Sequence, residues 1–231
     1  MKAVIMAGGK GTRMLPLTQH TNKVLIPVLG RPFLHHLLTR LRKAGYDEFG
    51  VIVNYKRELV QEFIKREGWN ATLIDQPQPL GTGDAVRCAR EFVGEEDFVV
   101  VGGDNLWSTG DLQRMRIEDG YNYVMGKQHA HPELYGVLQT QGDFLTAIVE
   151  KPQHFVGDLI NTGLYKFKPE IFKSLDEITP TPNGEYYLTD AVSLLAKFHK
   201  VKVLALQDYW LDFGKPQDVP LVEAFLRNHA A

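Results

Sequence analysis

The segment Ala7-Gly8-Gly9-Lys10-Gly11-Thr12-Arg13 packs three glycines and two cations into seven residues, directly after the apolar run Ala3-Val4-Ile5-Met6. Glycines leave the main chain free to approach a polyanion, and their N–H groups can converge into a concave donor nest. Arg13 offers a planar fork to phosphate oxygens, with Lys10 and Lys23 as mobile point charges. Two familiar glycine loops do not fit. A P-loop needs Lys and then Ser or Thr after its last glycine, where this chain has Thr12-Arg13. A dinucleotide fingerprint wants a third small residue where Met14 stands. What the segment offers is phosphate binding by backbone donors and cations.

Further along, Gln76 carries an amide that can donate and accept side by side, which matches the O4 and N3–H edge of uracil or thymine. Taken alone it is equally an exposed loop residue ahead of Pro77. Asp104 follows the apolar run 98–101, at a strand end where a hard divalent cation could sit among phosphate oxygens; it is also a common turn former after Gly102-Gly103. Glu150-Lys151-Pro152 sets a carboxylate and an ammonium side by side where proline stops a strand. Glu150 could accept from sugar hydroxyls while Lys151 meets a phosphate; the plain alternative is a solvated strand end. Asn161 weakens an otherwise apolar strand unless its amide is paired.

Alternating elements must position these groups. Residues 3–6, 49–53, 71–75 and 98–101 read as strands; the helices between them have apolar faces at Leu34, Leu37, Leu38 and Leu41, at Val60, Phe63 and Ile64, and over residues 84–93. Three βα units imply a mainly parallel sheet with helices on both faces, whose ligands collect at the carboxyl ends of the strands. The second half reads as mostly strands at 121–126, 135–138, 145–150 and 159–167, which suggests a lid-like sheet over the crevice. A helix after Asp190, a strand at 202–206 and a closing helix over 216–229 complete the pattern. No linker or repeat divides the chain.

The run from Ala7 to Met14, followed by Lys23-Val24-Leu25-Ile26-Pro27, resembles the signature of the sugar-phosphate nucleotidyltransferases, or nucleotide-sugar pyrophosphorylases. The run Leu80-Gly81-Thr82-Gly83 is most similar to uridylyltransferases that act on N-acetylglucosamine 1-phosphate, and the resemblance extends to about residue 218. It implies an α/β, Rossmann-like three-layer sandwich with a mixed, mainly parallel sheet and a small β-rich sugar-binding lid. One domain would span residues 1–231, with a nucleotide-binding half at 1–107 and a sugar-phosphate half at 108–231. Ala7, Gly8, Gly9, Gly11, Thr12, Arg13, Lys23, Gln76, Gly81, Thr82 and Asp104 would contact the nucleotide. Gly136, Glu150, Lys151 and Asn161 would hold the sugar phosphate; Glu185 is a further sugar contact, and Tyr135 is either beside the sugar or in the core. Asp104 and, from Trp210-Leu211-Asp212-Phe213-Gly214, Asp212 would hold Mg²⁺. The implied reaction is attack by a sugar 1-phosphate oxygen on the α-phosphorus of a nucleoside triphosphate, with Arg13, Lys23 and Lys151 offsetting charge. The favoured nucleotide is UTP, with dTTP next, paired with glucose 1-phosphate or an N-acetylhexosamine 1-phosphate. GTP or CTP with mannose, heptose or N-acetylmuramic acid phosphates is the alternative. A non-catalytic nucleotide-binding module and a glycosyltransferase are further off; the Asp-X-Asp pair usual in the latter is absent, since position 106 is Leu106.

Bulk properties narrow the class. With 26 basic and 28 acidic residues, the net charge of −2 gives no footprint for nucleic acid. Cys88 stands alone, so no internal disulfide forms, and the adjacent His35-His36 and the pair His129 and His131 lack zinc-ligand spacing. No apolar run suits a membrane span or leader, so the expected compartment is the cytoplasm. No β-helical acyltransferase domain of the kind some relatives append is expected after Ala231. Oligomeric state is not legible.

Overall fold

A computed structural model describes residues 1–229. Five strands lead: β1 (Lys2–Met6), the short pair β2 (Pro27–Val28) and β3 (Arg31–Pro32), β4 (Phe49–Val53) and β5 (Ala71–Asp75). Helices α1 (Phe33–Lys43) and α2 (Arg57–Glu67) alternate with them, and α3 (Thr82–Cys88), α4 (Arg90–Val93) and β6 (Phe98–Gly102) follow. Then come β7 (Asn105–Trp107), α5 (Thr109–Arg114), β8 (Asn122–Gln128), β9 (Gly136–Gln141), β10 (Phe144–Glu150) and β11 (Leu159–Phe167). The chain closes with α6 (Ile171–Glu177), α7 (Leu188–Ala196), β12 (Val201–Ala205), β13 (Trp210–Asp212) and α8 (Asp218–Asn228).

Nine strands form one mixed sheet in the order β5-β4-β1-β6-β11-β8-β12-β10-β9. The first four are mutually parallel, and β11 then runs antiparallel to β6. Strand alternation sorts the core onto two faces. Ala3 and Ile5 pack with α1, α2 and the apolar side of α8, whereas Val4, Ile52 and Val100 pack with α3, α6 and α7. Val99, Val100 and Val101 are wholly buried, each contributing about 1.5–2 kcal/mol of apolar burial. That central rigidity fixes the strand ends from which the site is built.

Two expectations are corrected. The second-half strands form no separate lid: β8, β9, β10 and β11 continue the central sheet. The far edge curls back, because β9 pairs with β10 and also meets β11 at Val137 and Ile160. Second, the helix read over 84–93 starts at Thr82 and is broken at Ala89 into α3 and α4.

One buried carboxylate ties the second half's return to this scaffold. Asp111, 1% exposed, accepts from the Ser108 hydroxyl at 2.9 Å and from the Gln207 and Asp208 N–H groups at 3.0 Å each. These bonds hold the turn that delivers β13. Asp111→Ala strands both N–H groups, and a loss of about 2–3 kcal/mol in unfolding free energy is expected by chemical denaturation.

Candidate active site

The glycine segment leaves β1 at the carboxyl edge of the parallel strands, where the Ala7 N–H donates to the Ile52 carbonyl at 2.9 Å. Gly11 turns the chain with φ +62°, and a Cβ there would lie 2.9 Å from Thr18 Cγ2 and 3.1 Å from Lys23 Cβ. A residue the sequence reading passed over holds this loop. Asn22 is fully buried and donates to the carbonyls of Ala7 at 3.2 Å and Tyr55 at 2.7 Å, while its oxygen accepts from the Val24 N–H at 3.1 Å. Lys23 follows directly, and its Nζ reaches Asp104 Oδ2 at 2.6 Å.

Asp104 stands just beyond β6. The Gly103 N–H donates to the Met6 carbonyl at 2.9 Å, and a Cβ on Gly103 would approach that oxygen to 2.6 Å, so only glycine lets the ends of β1 and β6 close together. The ribbon of β7 and β13 then pairs Asn105 with Asp212, and the Phe213 N–H donates to the Asp104 carbonyl at 2.9 Å. Two carboxylates more than one hundred positions apart in sequence thus meet at one corner. Asn105 ties Asp104 to the strand that carries Asp212: its amide donates to Asp104 Oδ1 at 2.8 Å and its oxygen accepts from Trp210 Nε1 at 2.7 Å. Phe213, fully buried, stacks on Phe33, and Asp218 accepts from the Gly214 and Lys215 N–H groups to fix the turn behind Asp212.

The Asp212 carboxyl is pushed above the usual carboxylate range, first by loss of water and next by the negative charge of Asp104, with Lys23 and Arg13 pulling the other way. A positive charge placed between the two carboxylates would relieve this repulsion. The corner's donor set is oxygen only, which fits a hard ion such as Mg²⁺ that keeps most of its waters. No group of three or more His, Cys, Asp and Glu side chains suited to a metal occurs among the described residues. Asp212→Asn is therefore expected to raise the Tm of metal-free protein at pH 7. A carboxyl raised in the folded state penalises folding while ionised, and the penalty fades as pH falls through its folded pKa. Melts in chelator across pH should show the gap between variant and wild type closing toward acid.

Beside this corner lies a cleft of about 340 Å³ lined by Ala7, Gly8, Gly9, Lys23, Gln76, Gly81, Thr82, Asp104 and Glu185, among others. Gly81 has φ +98°, and a Cβ would sit 2.6 Å from the Tyr186 carbonyl, so the loop after β5 passes tightly against the segment that carries Glu185. Gln76 is 5% exposed. Its Nε2 donates to the Gly81 carbonyl at 3.1 Å and to Asp84 Oδ2 at 2.9 Å, which corrects the expectation that this amide offers donor and acceptor together. Both hydrogens are committed, and only the carbonyl oxygen remains for a ligand.

Gly136, Tyr135, Glu150 and Lys151 gather where β9 and β10 meet. Gly136 pairs with Glu150, a Cβ on Gly136 would fall 2.9 Å from Glu150 Oε1, and the Lys151 N–H donates to the Tyr135 carbonyl at 2.9 Å. Lys151 holds φ +42°, a left-handed conformation uncommon for a residue with a Cβ. Asn161 sits at an irregularity of β11, its amide donating to the Tyr165 hydroxyl and its oxygen accepting from the Gly163 N–H at 2.9 Å. Tyr135 meets Trp210 edge to face at 5.7 Å, joining this group to the strand of Asp212. Glu185 stands apart from it, in the cleft with Gln76. Gly11, Thr12 and Arg13 do not line the cleft; Thr12 and Arg13 are exposed, and Arg13's charge is felt at Asp212.

A family model described as nucleotidyl transferase matches residues 2–229. The low-salt glycan biosynthesis nucleotidyltransferase of Haloferax volcanii is 33% identical over 229 residues, covering 95% of this chain and 64% of that protein. The bifunctional protein GlmU of Methanocaldococcus jannaschii is 34% identical over 221 residues, covering 95% of this chain and 52% of its own length. The chain thus spans about half to two thirds of the curated relatives it matches. A Bacillus anthracis structure, assigned as a glucose-1-phosphate thymidylyltransferase and solved with sucrose, superposes with a TM-score of 0.88 at 26% identity, covering 99% of this chain and 96% of that one.

Proposed function

The chain belongs to the nucleotidyl transferase family, and on that premise we propose that it joins a nucleoside triphosphate to a sugar 1-phosphate, releasing pyrophosphate. The observation that carries this reading is the corner where Lys23 meets Asp104, with Asp212 brought beside it, at the edge of a glycine-lined cleft. A phosphate monoester with a second pKa of about 6 is already an anionic nucleophile at neutral pH, so its oxygen needs no general base. That oxygen bonds to the α-phosphorus while the α–β bridging bond breaks, and the electron pair leaves with pyrophosphate. The protein's part is alignment and charge neutralisation.

Backbone N–H groups of Gly8, Gly9 and Gly11 and the Arg13 guanidinium hold the triphosphate and the departing pyrophosphate. Lys23 faces the α-phosphate, and Lys151 steadies the incoming phosphate beside Glu150, Asn161, Gly136 and Tyr135. Asp104 and Asp212 would hold Mg²⁺, which supplies neutralisation of the phosphate charge when bound. Thr82 and Gly81 border the base, read by Gln76 through its one open acceptor, which favours UTP or dTTP; Glu185 borders the same end. The sugar is of the glucose 1-phosphate or N-acetylhexosamine 1-phosphate type, held by the curled β9–β10 edge. The two halves work as one unit, and the reaction belongs in the cytoplasm; no helix among the described residues is long and apolar enough to cross a membrane.

Pyrophosphate release, measured for UTP, dTTP, GTP and CTP against a panel of sugar 1-phosphates, tests the reading. Stoichiometric pyrophosphate and nucleotide sugar with UTP or dTTP are expected. Release of nucleoside diphosphate instead, or no product with any pair, overturns it.

A further inference from the structure

Behind the cleft wall stands a carboxylate that the phosphate chemistry does not use: Asp84, in the first turn of α3, whose side chain is only 16% exposed and accepts from Gln76. Gln76 is held at both ends. Its N–H donates to the Val53 carbonyl at 2.9 Å, and its carbonyl accepts from Asn54 Nδ2 at 2.7 Å, so the main chain cannot turn. The side-chain amide then has a choice of two flips. An ionised carboxylate and a backbone carbonyl accept and never donate. With Asp84 Oδ2 at 2.9 Å and the Gly81 carbonyl at 3.1 Å on one side, the flip that puts the amide oxygen there would set it against two acceptors. The oxygen must face Gly8, where it stands 3.0 Å from the position of a Cβ on that glycine, at the cleft wall.

Asp84 is itself oriented. Its Oδ1 lies 3.9 Å from Arg87 Nη1, one helical turn on. Arg87 in turn donates to the Leu175 carbonyl, lies 3.7 Å from Asp176 and covers the Tyr186 ring at 4.9 Å. Helix α6 and the loop before α7 thus set the carboxylate that sets the amide.

We propose that Asp84 is a positioning residue for base selection: by fixing the Gln76 amide with its oxygen toward the ligand, it selects bases that present a ring N–H over bases that present a ring lone pair. Uracil and thymine offer N3–H to that oxygen, and guanine N1–H; cytosine N3 and adenine N1 offer lone pairs, which repel it. The proposal rests on the reading that Gln76 meets the base, and its test separates the two.

Asp84→Asn keeps size but turns one of the two acceptors facing Gln76 into a group that can also donate, so only the Gly81 carbonyl still opposes the other flip. The measurement is kcat/KM for UTP and for CTP by pyrophosphate release, with the sugar phosphate saturating. Wild type is expected to favour UTP by about 10²-fold or more, because a site built around a hydrogen bond rejects an analogue lacking it. In Asp84→Asn the ratio is expected to fall about tenfold, with the loss for UTP carried by KM and kcat nearly unchanged. Asp84→Glu, still acceptor only, should keep most of the ratio. Arg87→Gln should lower it by several fold, which covers the case in which Asp84→Asn does not fold. A ratio unchanged in Asp84→Asn, or equal losses in Asp84→Asn and Asp84→Glu that track lower Tm, overturns the proposal. Gln76→Leu decides the premise: if it leaves the ratio at the wild-type value, Gln76 is not the base reader and both readings fall. If it collapses the ratio while Asp84→Asn does not, only the role of Asp84 is lost.

Discussion

Asp104→Asn is expected to lower kcat about 10³-fold, or about 4 kcal/mol of barrier, because in the proposed reaction it removes one charge from the corner that offsets phosphate charge. Three contacts make the position decisive. The Asp104 backbone carbonyl pins β13 through Phe213, its Oδ1 takes the Asn105 amide, and its Oδ2 takes Lys23 at 2.6 Å. Asparagine keeps the first and loses the charge behind the third, so Lys23, with 11% of its side chain exposed, is left with a neutral partner. A stability loss of about 1–2 kcal/mol should accompany the change, far too little to unfold the protein and separable from the rate by a melt. The readout is pyrophosphate release over a Mg²⁺ titration. If Asp104 and Asp212 act on one ion, the double variant Asp104→Asn/Asp212→Asn should be no slower than the worse single variant, since removing either carboxylate already breaks the unit. Near-normal turnover in Asp104→Asn at limiting Mg²⁺, or fully additive losses, would remove the shared-ion assignment.

Part of this corner was legible in the chain and part was not, for a physical reason. Short apolar runs gave β1, β4 and β6 their places, and leucines at helical spacing gave α1, because local hydrophobic period is written in consecutive residues. Asp104 could be found because it closes such a run. Asn22 and Asn105 could not, since each matters through a partner far away in sequence: Asn22 through Tyr55, Asn105 through Trp210. Polar residues in short loops carry no period to betray them. The signal that did exist for Asn22 was its place directly before Lys23 in the matched segment. The sheet order of the second half was hidden likewise, because strand pairing such as that of β9 with β11 is a long-range choice that alternation does not encode. Gln76 stood out as a candidate base contact, but which side its amide presents rests on Asp84, eight residues on and across a helix start, and on the Gly81 carbonyl.

Lys151 gives the second large effect, and one in which stability and rate should move in opposite directions. The residue sits at φ +42° between β10 and Pro152, held by the N–H bond to the Tyr135 carbonyl at 2.9 Å. A left-handed conformation costs a side-chain-bearing residue about 1–2 kcal/mol, and nothing about an exposed strand end requires that strain. Within the fold it is held by the N–H bond to Tyr135 and the following Pro152, which leaves the side chain free to serve a ligand. Lys151→Gly should therefore raise unfolding free energy by about 0.5–1 kcal/mol, part of the relieved strain being offset by the freer unfolded chain. The same variant should cut kcat/KM for the sugar 1-phosphate about 10²–10³-fold, as expected for losing a charge aimed at the reacting phosphate. Lys151→Ala should lose as much activity without the gain in stability, because alanine keeps the strain and drops the ammonium. The pair therefore isolates the cause. A glycine variant that is both more stable and fully active would mean that the backbone turn, with no contribution from the ammonium, is all this position provides, and the incoming phosphate would then have to be held by other groups.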